Sequence, residues 1–391
     1  MSLKVQTNLR GVVVLAAGGT AGHLFPAQAL AEVLVQRGYV IHLMSDKRAS
    51  HYVSRFPALQ IHEIGSSSLT PGRPWRLPGQ LMRLWRGYRK ARAILVQLKP
   101  DAVIGFGGYP SVPPFIAAVR LKLTTGLHEQ NAIMGRANRF LAGRAGFIAS
   151  SFPQIANLPA RHRAQVVVTG NPVRQAVLDL AQAPYSAPAA EDVLRLVVFG
   201  GSQGARVFSE MMPAVVGELS GAVRRKMEIA QQCRPEDLDA VSAAYRELGV
   251  EAELQPFFAD MPQRIARCHL VICRSGASTI AELSVIGRPA VLVPLPSSLD
   301  NDQLRNAEAF AAAGAGWVMR EGTFAAPDLA AFLTRIKFAE GELAKAAAAA
   351  QELGRPDAAE RLADAVEAMI AGPRFGAGAG AARDAQEEVR K

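Results

Sequence analysis

Cysteine is nearly absent: Cys233, Cys268 and Cys273 are the only three in 391 residues. An odd number with neither C-x-x-C nor metal-ligand spacing excludes a disulfide framework and a zinc site, and leaves buried, reduced thiols. Also missing is any uncharged run near the roughly 18–20 apolar residues that a membrane-spanning helix requires. Residues 1–10 are polar and lead straight into an apolar pattern at 11–17. No secretory hydrophobic region is read there, so the chain is expected in the cytoplasm. Acidic residues are missing from 64–100, where Arg73, Arg76, Arg83, Arg86, Arg89, Lys90, Arg92 and Lys99 share the stretch with Trp75, Leu77, Leu81, Leu84, Trp85 and Tyr88. That is a basic amphipathic segment with interfacial aromatics. It carries much of the formal charge of +10, which by itself is compatible with nucleic acid, an anionic lipid surface or acidic substrates.

What the chain does have is two glycine-rich turns, Gly18-Gly19-Thr20-Ala21-Gly22-His23 and Gly200-Gly201-Ser202-Gln203-Gly204-Ala205-Arg206, each after a β-branched run and before a helical pattern. A strand-turn-helix cradle of this kind holds a phosphate by backbone N–H groups and the positive helix end. Strand and helix signals alternate through 12–17, helix 26–36 with Pro26 as its first residue, 40–44, 102–106, 125–128, helix 135–142, 147–150 and 165–169. A proline- and alanine-rich stretch at 181–190 reads as a linker. The alternation then restarts at 194–199 and continues through 226–231, helix 237–248, 251–256, 270–273, helix 277–285, 290–294 and 317–320. The expectation is α/β throughout: two doubly wound, Rossmann-like domains with a cleft between them, of residues 1–180 and 190–355. An alanine-rich helical region follows 340, the amphipathic helix 356–371 is expected to rejoin the first domain, and 372–391 reads as a disordered tail.

A dinucleotide site is excluded by spacing. A G-x-G-x-x-G frame from Gly18 puts Thr20 and His23 where glycines are needed, and one from Gly200 puts Ser202 there. Asp300-Asn301-Asp302 spells a D-x-D pattern of the kind that can hold a metal-nucleotide. Lying just before a helix, it reads instead as capping, and no metal is expected.

Six motifs appear in order: Gly18 to Pro26, Gly107-Gly108-Tyr109, His128-Glu129-Gln130-Asn131, Gly170-Asn171-Pro172-Val173-Arg174, Gly200 to Arg206, and Cys273-Arg274-Ser275-Gly276-Ala277-x-Thr279-x-x-Glu282. Together they resemble the MurG family, the undecaprenyl-diphospho-muramoylpentapeptide β-N-acetylglucosaminyltransferases of peptidoglycan synthesis, which have the GT-B fold. The resemblance implies transfer of N-acetylglucosamine from UDP-GlcNAc to the C4 hydroxyl of lipid I, with inversion and without a cofactor. By the same resemblance Ser202 and Arg174 contact the donor diphosphate, the backbone near Phe258 holds uracil, and Ala277, Ser278, Thr279, Ile280 and Ala281 line the nucleotide. Glu282 takes the ribose hydroxyls, Asn131 and Gln303 take the donor sugar, and Thr20, Ala21 and Gly22 form the first cradle.

His23, at the start of a helix whose positive end favours a neutral ring, is the candidate base, with Glu129 and His128 as competitors. Two departures from the family pattern stand out. Ala21 replaces a usual glycine, and 297–302 lacks the histidine often found before the donor-binding glutamine.

A polyprenyl acceptor implies a peripheral enzyme on the cytoplasmic face of the cell (inner) membrane, held to anionic lipid through Trp75, Leu77, Leu81, Leu84 and Trp85, with partners in cell-wall synthesis. No nucleic-acid recognition motif is found. The competing classes are a GT-B enzyme with another acceptor, a nucleotide-sugar epimerase, and a non-catalytic sugar-nucleotide binding protein.

Overall fold

A computed structural model of the chain describes residues 9–18, 20–47, 56–67, 75, 77–201, 206–323 and 325–372. It divides into two compact units, one running to Pro172 and resuming at Asp357, the other Val173–Pro356. Among the described residues no helix is long and apolar enough to cross a membrane.

The first unit is built on a sheet of seven parallel strands: β1 (Gly11–Ala16), β2 (Tyr39–Ser45), β3 (Gln60–Glu63), β4 (Ala102–Gly105), β5 (Thr124–Glu129), β6 (Phe147–Ser150) and β7 (Val166–Val168). Their spatial order is β3-β2-β1-β4-β5-β6-β7. Helices cover both faces, which is why the central strands read as unbroken apolar runs. On β1, Val13 and Leu15 join one core with the Ala21–Gln36 and Ala358–Ala371 helices. Val14, between them, faces the opposite core with Ala91 and Leu95 of the Leu77–Leu98 helix and Ala117 and Ala118 of the Val112–Arg120 helix.

The second unit repeats the plan with β8 (Leu194–Phe199), β9 (Met227–Gln232), β10 (Ala252–Gln255), β11 (Leu270–Cys273), β12 (Ala290–Leu292) and β13 (Gly316–Val318), all parallel, in the order β10-β9-β8-β11-β12-β13. In each sheet strands are added outward in one direction from the first strand, and then in the other direction from the fourth. The reversal falls between β1 and β4 in the first unit and between β8 and β11 in the second. Crossover connections leave to opposite faces at such a point, so a crevice opens at the carboxyl ends of the two strands.

Two expectations need correction. The first helix starts at Ala21, five residues before Pro26, which lies inside it. The Thr20 carbonyl accepts from both His23 N and Leu24 N at 3.2 Å, so the glycine-rich turn is itself the first helical turn. Pro26 falls where its missing N–H would have bonded to Gly22, so the helix tolerates one lost hydrogen bond that a start at Pro26 would have spared. The linker is also misplaced, because the division falls at Pro172 and residues 173–190 pack on the second unit. Val177 is fully buried, Tyr185 Oη donates to the His269 carbonyl at 2.9 Å, and the buried Arg288 donates to the carbonyls of Ala183 and Pro184. Proline-rich composition signalled irregular backbone here, and irregular backbone is not the same as a free connection.

The Ala358–Ala371 helix is fastened to the first unit by Leu362, Ala363 and Val366, all fully buried. At its rim Arg37 Nη1 lies 2.7 Å from both Asp364 Oδ1 and Glu367 Oε2. Half-exposed ion pairs contribute little, and burial of Leu362 dominates. Leu362→Ala is expected to destabilise the first unit by about 2–5 kcal/mol, read as a lower denaturation midpoint for that unit, with the midpoint of the second unit unchanged.

Candidate active site

The loops at the two reversal points carry most of the sequence candidates. After β1 the chain passes Gly18 and Thr20 into the Ala21–Gln36 helix, whose first turn contains Gly22 and His23. After β4 come Phe106, Gly107 and Gly108, the glycines at φ 85° and 71°. This left-handed backbone lets the turn press against the histidine. A Cβ on Gly108 would lie 3.2 Å from His23 Cδ2 and 3.3 Å from its Nε2, and one on Gly107 would lie 3.5 Å from Cε1. The imidazole is thus held edge-on against the turn.

β5 ends in His128-Glu129-Gln130-Asn131, and strand alternation sends 128 and 130 one way and 129 the other. His128 is fully buried; its Nε2 lies 3.1 Å from the Gly170 carbonyl, and burial pushes the ring down to about 4. Gln130 Nε2 lies 2.9 Å from the Phe106 carbonyl, 3.1 Å from the His128 carbonyl and 2.9 Å from His128 Nδ1. Its Oε1 lies 3.2 Å from His23 Nδ1. Glu129 is buried and accepts from Asn131 N and Nδ2, Gly135 N and Asn138 Nδ2, at 3.1, 3.3, 3.0 and 2.9 Å. Burial pushes its carboxyl upward while these four donors pull it back. A carboxylate whose lone pairs are already taken by four N–H groups organises the 129–138 loop and is poorly placed to accept a further proton. Asn131 spends its side-chain amide on that same carboxylate.

In the second unit, β8 runs into Gly200 and Gly201, the latter at φ 93°; Ser202 lies outside the described residues. Gly200 N donates to Gln232 Oε1 at 3.2 Å, and Gln232 Nε2 donates to the Pro256 carbonyl at 3.1 Å. This buried glutamine, which sequence reasoning missed at the end of β9, ties the glycine turn to the segment leading to Phe258. Phe258 is itself buried, with the Arg264 guanidinium 4.2 Å from its ring centroid. A ring so covered leaves backbone, and not side chain, as what this position can offer a base.

After β11 the helix Ala277–Ile286 opens with Gly276 as N-cap and no side-chain cap, so its first-turn N–H groups are available to an anion. Ala277, Ser278, Thr279 and Ala281 are half-buried there, whereas Ile280 turns into the core at 5% exposure. The Ile280 side chain therefore cannot line a nucleotide. Glu282, one turn in, meets Arg174 Nη2 through Oε1 at 3.0 Å. Burial raises the Glu282 carboxyl and the Arg174 charge opposes that.

Arg274, also missed, donates through Nη1 to the carbonyls of Val293 and Pro294 at 3.0 and 3.2 Å and pairs with Glu321 at 2.6 Å. Gln303 Oε1 accepts from Leu295 N at 3.1 Å, and its carbonyl accepts from Ser275 Oγ at 2.8 Å. The glutamine thus holds the loop after β12 in place. Of the D-x-D run, Asp300 and Asn301 adopt left-handed φ of 56° and 57°, and Asp302 Oδ1 accepts from Gln303 N at 2.7 Å.

Away from these loops, the Leu77–Leu98 helix buries Gln80, Gly87, Ala91 and Leu95 and turns Leu81 and Trp85 outward at 55% and 52% exposure. Trp75 is 73% exposed; Leu77 and Leu84 are half-buried at the rim. Arg89 lies 4.9 Å from the Trp85 ring centroid. The apolar residues facing outward on this helix are therefore not core.

Residues 13–150 match the glycosyltransferase family 28 N-terminal domain, and residues 195–362 match the glycosyltransferase family 28 C-terminal domain. A protein of Mesorhizobium japonicum named UDP-N-acetylglucosamine--N-acetylmuramyl-(pentapeptide) pyrophosphoryl-undecaprenol N-acetylglucosamine transferase is 50% identical over 361 residues, covering 92% of this chain and 96% of its own. A protein of the same name from Sinorhizobium fredii is 49% identical, covering 93% and 96%. The crystal structure of Acinetobacter baumannii MurG superposes with a TM-score of 0.74 at 28% identity, covering 91% of this chain and 99% of that one.

The glycine turn gives a direct test of the first site. Gly108→Ala places a Cβ at a positive φ, which costs about 1–2 kcal/mol for an L-residue, and drives it against the His23 ring. Turnover is expected to fall more than the thermal midpoint accounts for, with affinity for UDP unchanged by calorimetry.

Proposed function

The chain belongs to glycosyltransferase family 28, and from that premise we propose that it transfers N-acetylglucosamine from UDP-GlcNAc to the C4 hydroxyl of the muramoyl sugar of lipid I, giving lipid II for peptidoglycan synthesis. The observation that carries this reading is the 50% identity sustained over 92% of the chain with a relative so named. Epimerisation and non-catalytic binding have no comparable support.

In this reading the second unit takes the donor. The N-terminal turn of the Ala277–Ile286 helix and Arg174 bear on the diphosphate, with Ser202 from the glycine turn. Glu282 accepts from the ribose diol, a role that needs an ionised carboxylate, and Arg174 at 3.0 Å favours that form against burial. The backbone at Phe258 receives uracil, and Gln303 addresses the sugar hydroxyls. The first unit takes the acceptor. The C4 oxygen attacks the anomeric carbon in line with the departing group, the bond from that carbon to the UDP β-phosphate oxygen breaks with its electron pair leaving on UDP, and the hydroxyl proton passes to His23. In-line displacement inverts the anomeric centre. Helix N-terminus and guanidinium supply the charge stabilisation that a metal supplies elsewhere, so the reaction is proposed to run without a divalent cation.

A lipid-linked acceptor also gives the exposed face of the Leu77–Leu98 helix a task. Trp75, Leu81 and Trp85, flanked by Leu77 and Leu84 and backed by arginines, suit an anionic bilayer surface, which for this substrate is the cytoplasmic face of the membrane.

Three outcomes are expected. Labelled UDP-GlcNAc and a lipid I analogue yield product equally with and without EDTA; no product, where a family 28 control enzyme works, would overturn the assignment. His23→Ala lowers kcat by about 10²–10⁴-fold while calorimetry shows UDP still bound. Leu81→Glu with Trp85→Glu reduces co-sedimentation with anionic vesicles and leaves turnover of a short-chain, soluble acceptor unchanged.

A further inference from the structure

A general base must present an unprotonated nitrogen, and a neutral imidazole has one on only one side of its ring. The hydrogen bonds at the end of β5 decide which side. Gln130 is 2% exposed, and the atoms around one end of its amide are the Phe106 carbonyl at 2.9 Å and the His128 carbonyl at 3.1 Å. Carbonyl oxygens only accept, so the NH₂ must face them and the oxygen must face the other way. That oxygen lies 3.2 Å from His23 Nδ1. An amide oxygen also only accepts, so Nδ1 carries the hydrogen and Nε2 carries the lone pair.

The far end of the chain agrees independently. His128 Nε2 faces the Gly170 carbonyl at 3.1 Å and must donate, which leaves His128 Nδ1 as an acceptor for Gln130 Nε2 at 2.9 Å. Burial pushes the His128 ring down to about 4, so the ring is neutral and this acceptor is present at neutral pH. Three backbone carbonyls, from the ends of β4, β5 and the turn after β7, thus dictate through two side chains the tautomer of a third.

We propose that Gln130 is a positioning residue that locks His23 in its Nδ1–H tautomer, with His128 as the fixed support, so that Nε2 is the nitrogen left unprotonated. This rests on the reading of His23 as the base and adds to it which atom acts and what holds it. It also accounts for the spacing of His128 and Gln130 around Glu129. Residues two apart on a strand share a side, so one short run serves both the tautomer chain and, through Glu129, the loop beside it.

The test uses the full-length protein labelled with ¹⁵N-histidine, the His23 signals being assigned by their loss in His23→Ala. Wild type is expected to show a protonated Nδ1 and an unprotonated Nε2 at neutral pH. Gln130→Met, which keeps the length and removes both hydrogen-bonding ends, is expected to mix the tautomers and to lower kcat about 10- to 1000-fold with KM for UDP-GlcNAc unchanged. Gln130→Glu is expected to restore part of that loss and the Nδ1–H signature, because one carboxyl oxygen still accepts from His23 while the other, protonated, donates its single hydrogen to the Phe106 carbonyl. A wild-type His23 found as Nε2–H overturns the proposal without recourse to any variant. So does Gln130→Met that keeps full turnover, or one that loses turnover with the tautomer unchanged. Undiminished turnover in His23→Ala instead removes the base reading beneath it, and the two failures are distinct.

Discussion

Everything functional in this chain depends on what happens where a parallel sheet changes direction. Next to β1 in the first unit and β8 in the second, the neighbouring connections leave to opposite faces, and the carboxyl ends of two adjacent strands are left uncovered. Backbone there cannot continue the ladder, so its polar groups must find helix starts, glycine turns or ligands. The Ala21–Gln36 helix starts beside one such gap, and the Ala277–Ile286 helix beside the other. Each helix start leaves first-turn N–H groups of the kind that can bind an anion.

Such gaps are useful only if their walls stay put, and much of the buried polar chemistry serves that end. Glu129 binds four N–H groups and so freezes the turn from 129 to 138. In the second unit Gln232 fastens Gly200 to Pro256, Arg274 fastens the end of β11 to the loop after β12, and Gln303 fastens Leu295. Glu129, Gln232 and Arg274 are buried polar groups with hydrogen-bond partners, the condition under which such groups specify one geometry. The consequence is a division of labour within short motifs. In the 128–131 run, one side chain braces a loop and its neighbours two residues apart form a hydrogen-bonded chain to His23. In the 273–282 run, Arg274 braces, the helix start offers N–H groups, and Glu282 offers a carboxylate.

Legibility from sequence followed the range of the interactions. Strand cores such as 147–150, 194–199 and 270–273 were read with their observed limits, since both faces are buried and period and composition agree. Short β3 was not read, because an edge strand with exposed Gln60 and Ile61 has no such pattern. The start of the first helix was misread at Pro26, where local preference favours a beginning and the turn set by Thr20 moved it upstream. Residues 181–190 were misread as a linker, and 173–180 as part of the first domain, because burial of Val177 and the Arg288 contacts come from partners about a hundred positions away. Ile280 was grouped with its neighbours as nucleotide-lining, although helical phase sends it into the core.

By itself the sequence determined two parallel α/β units, the glycine turns after their first strands, a basic face with outward aromatics, and the residues that mark the family. These follow from local preference and from period, which a chain carries without knowing its partners. The tertiary structure alone decided that Arg174 faces Glu282, that Glu129 is spent on four donors, and that Gln130 points its oxygen at His23. Those facts depend on which distant carbonyls and amides a fold brings within about 3 Å, and nothing in the order of residues along a strand encodes that distance.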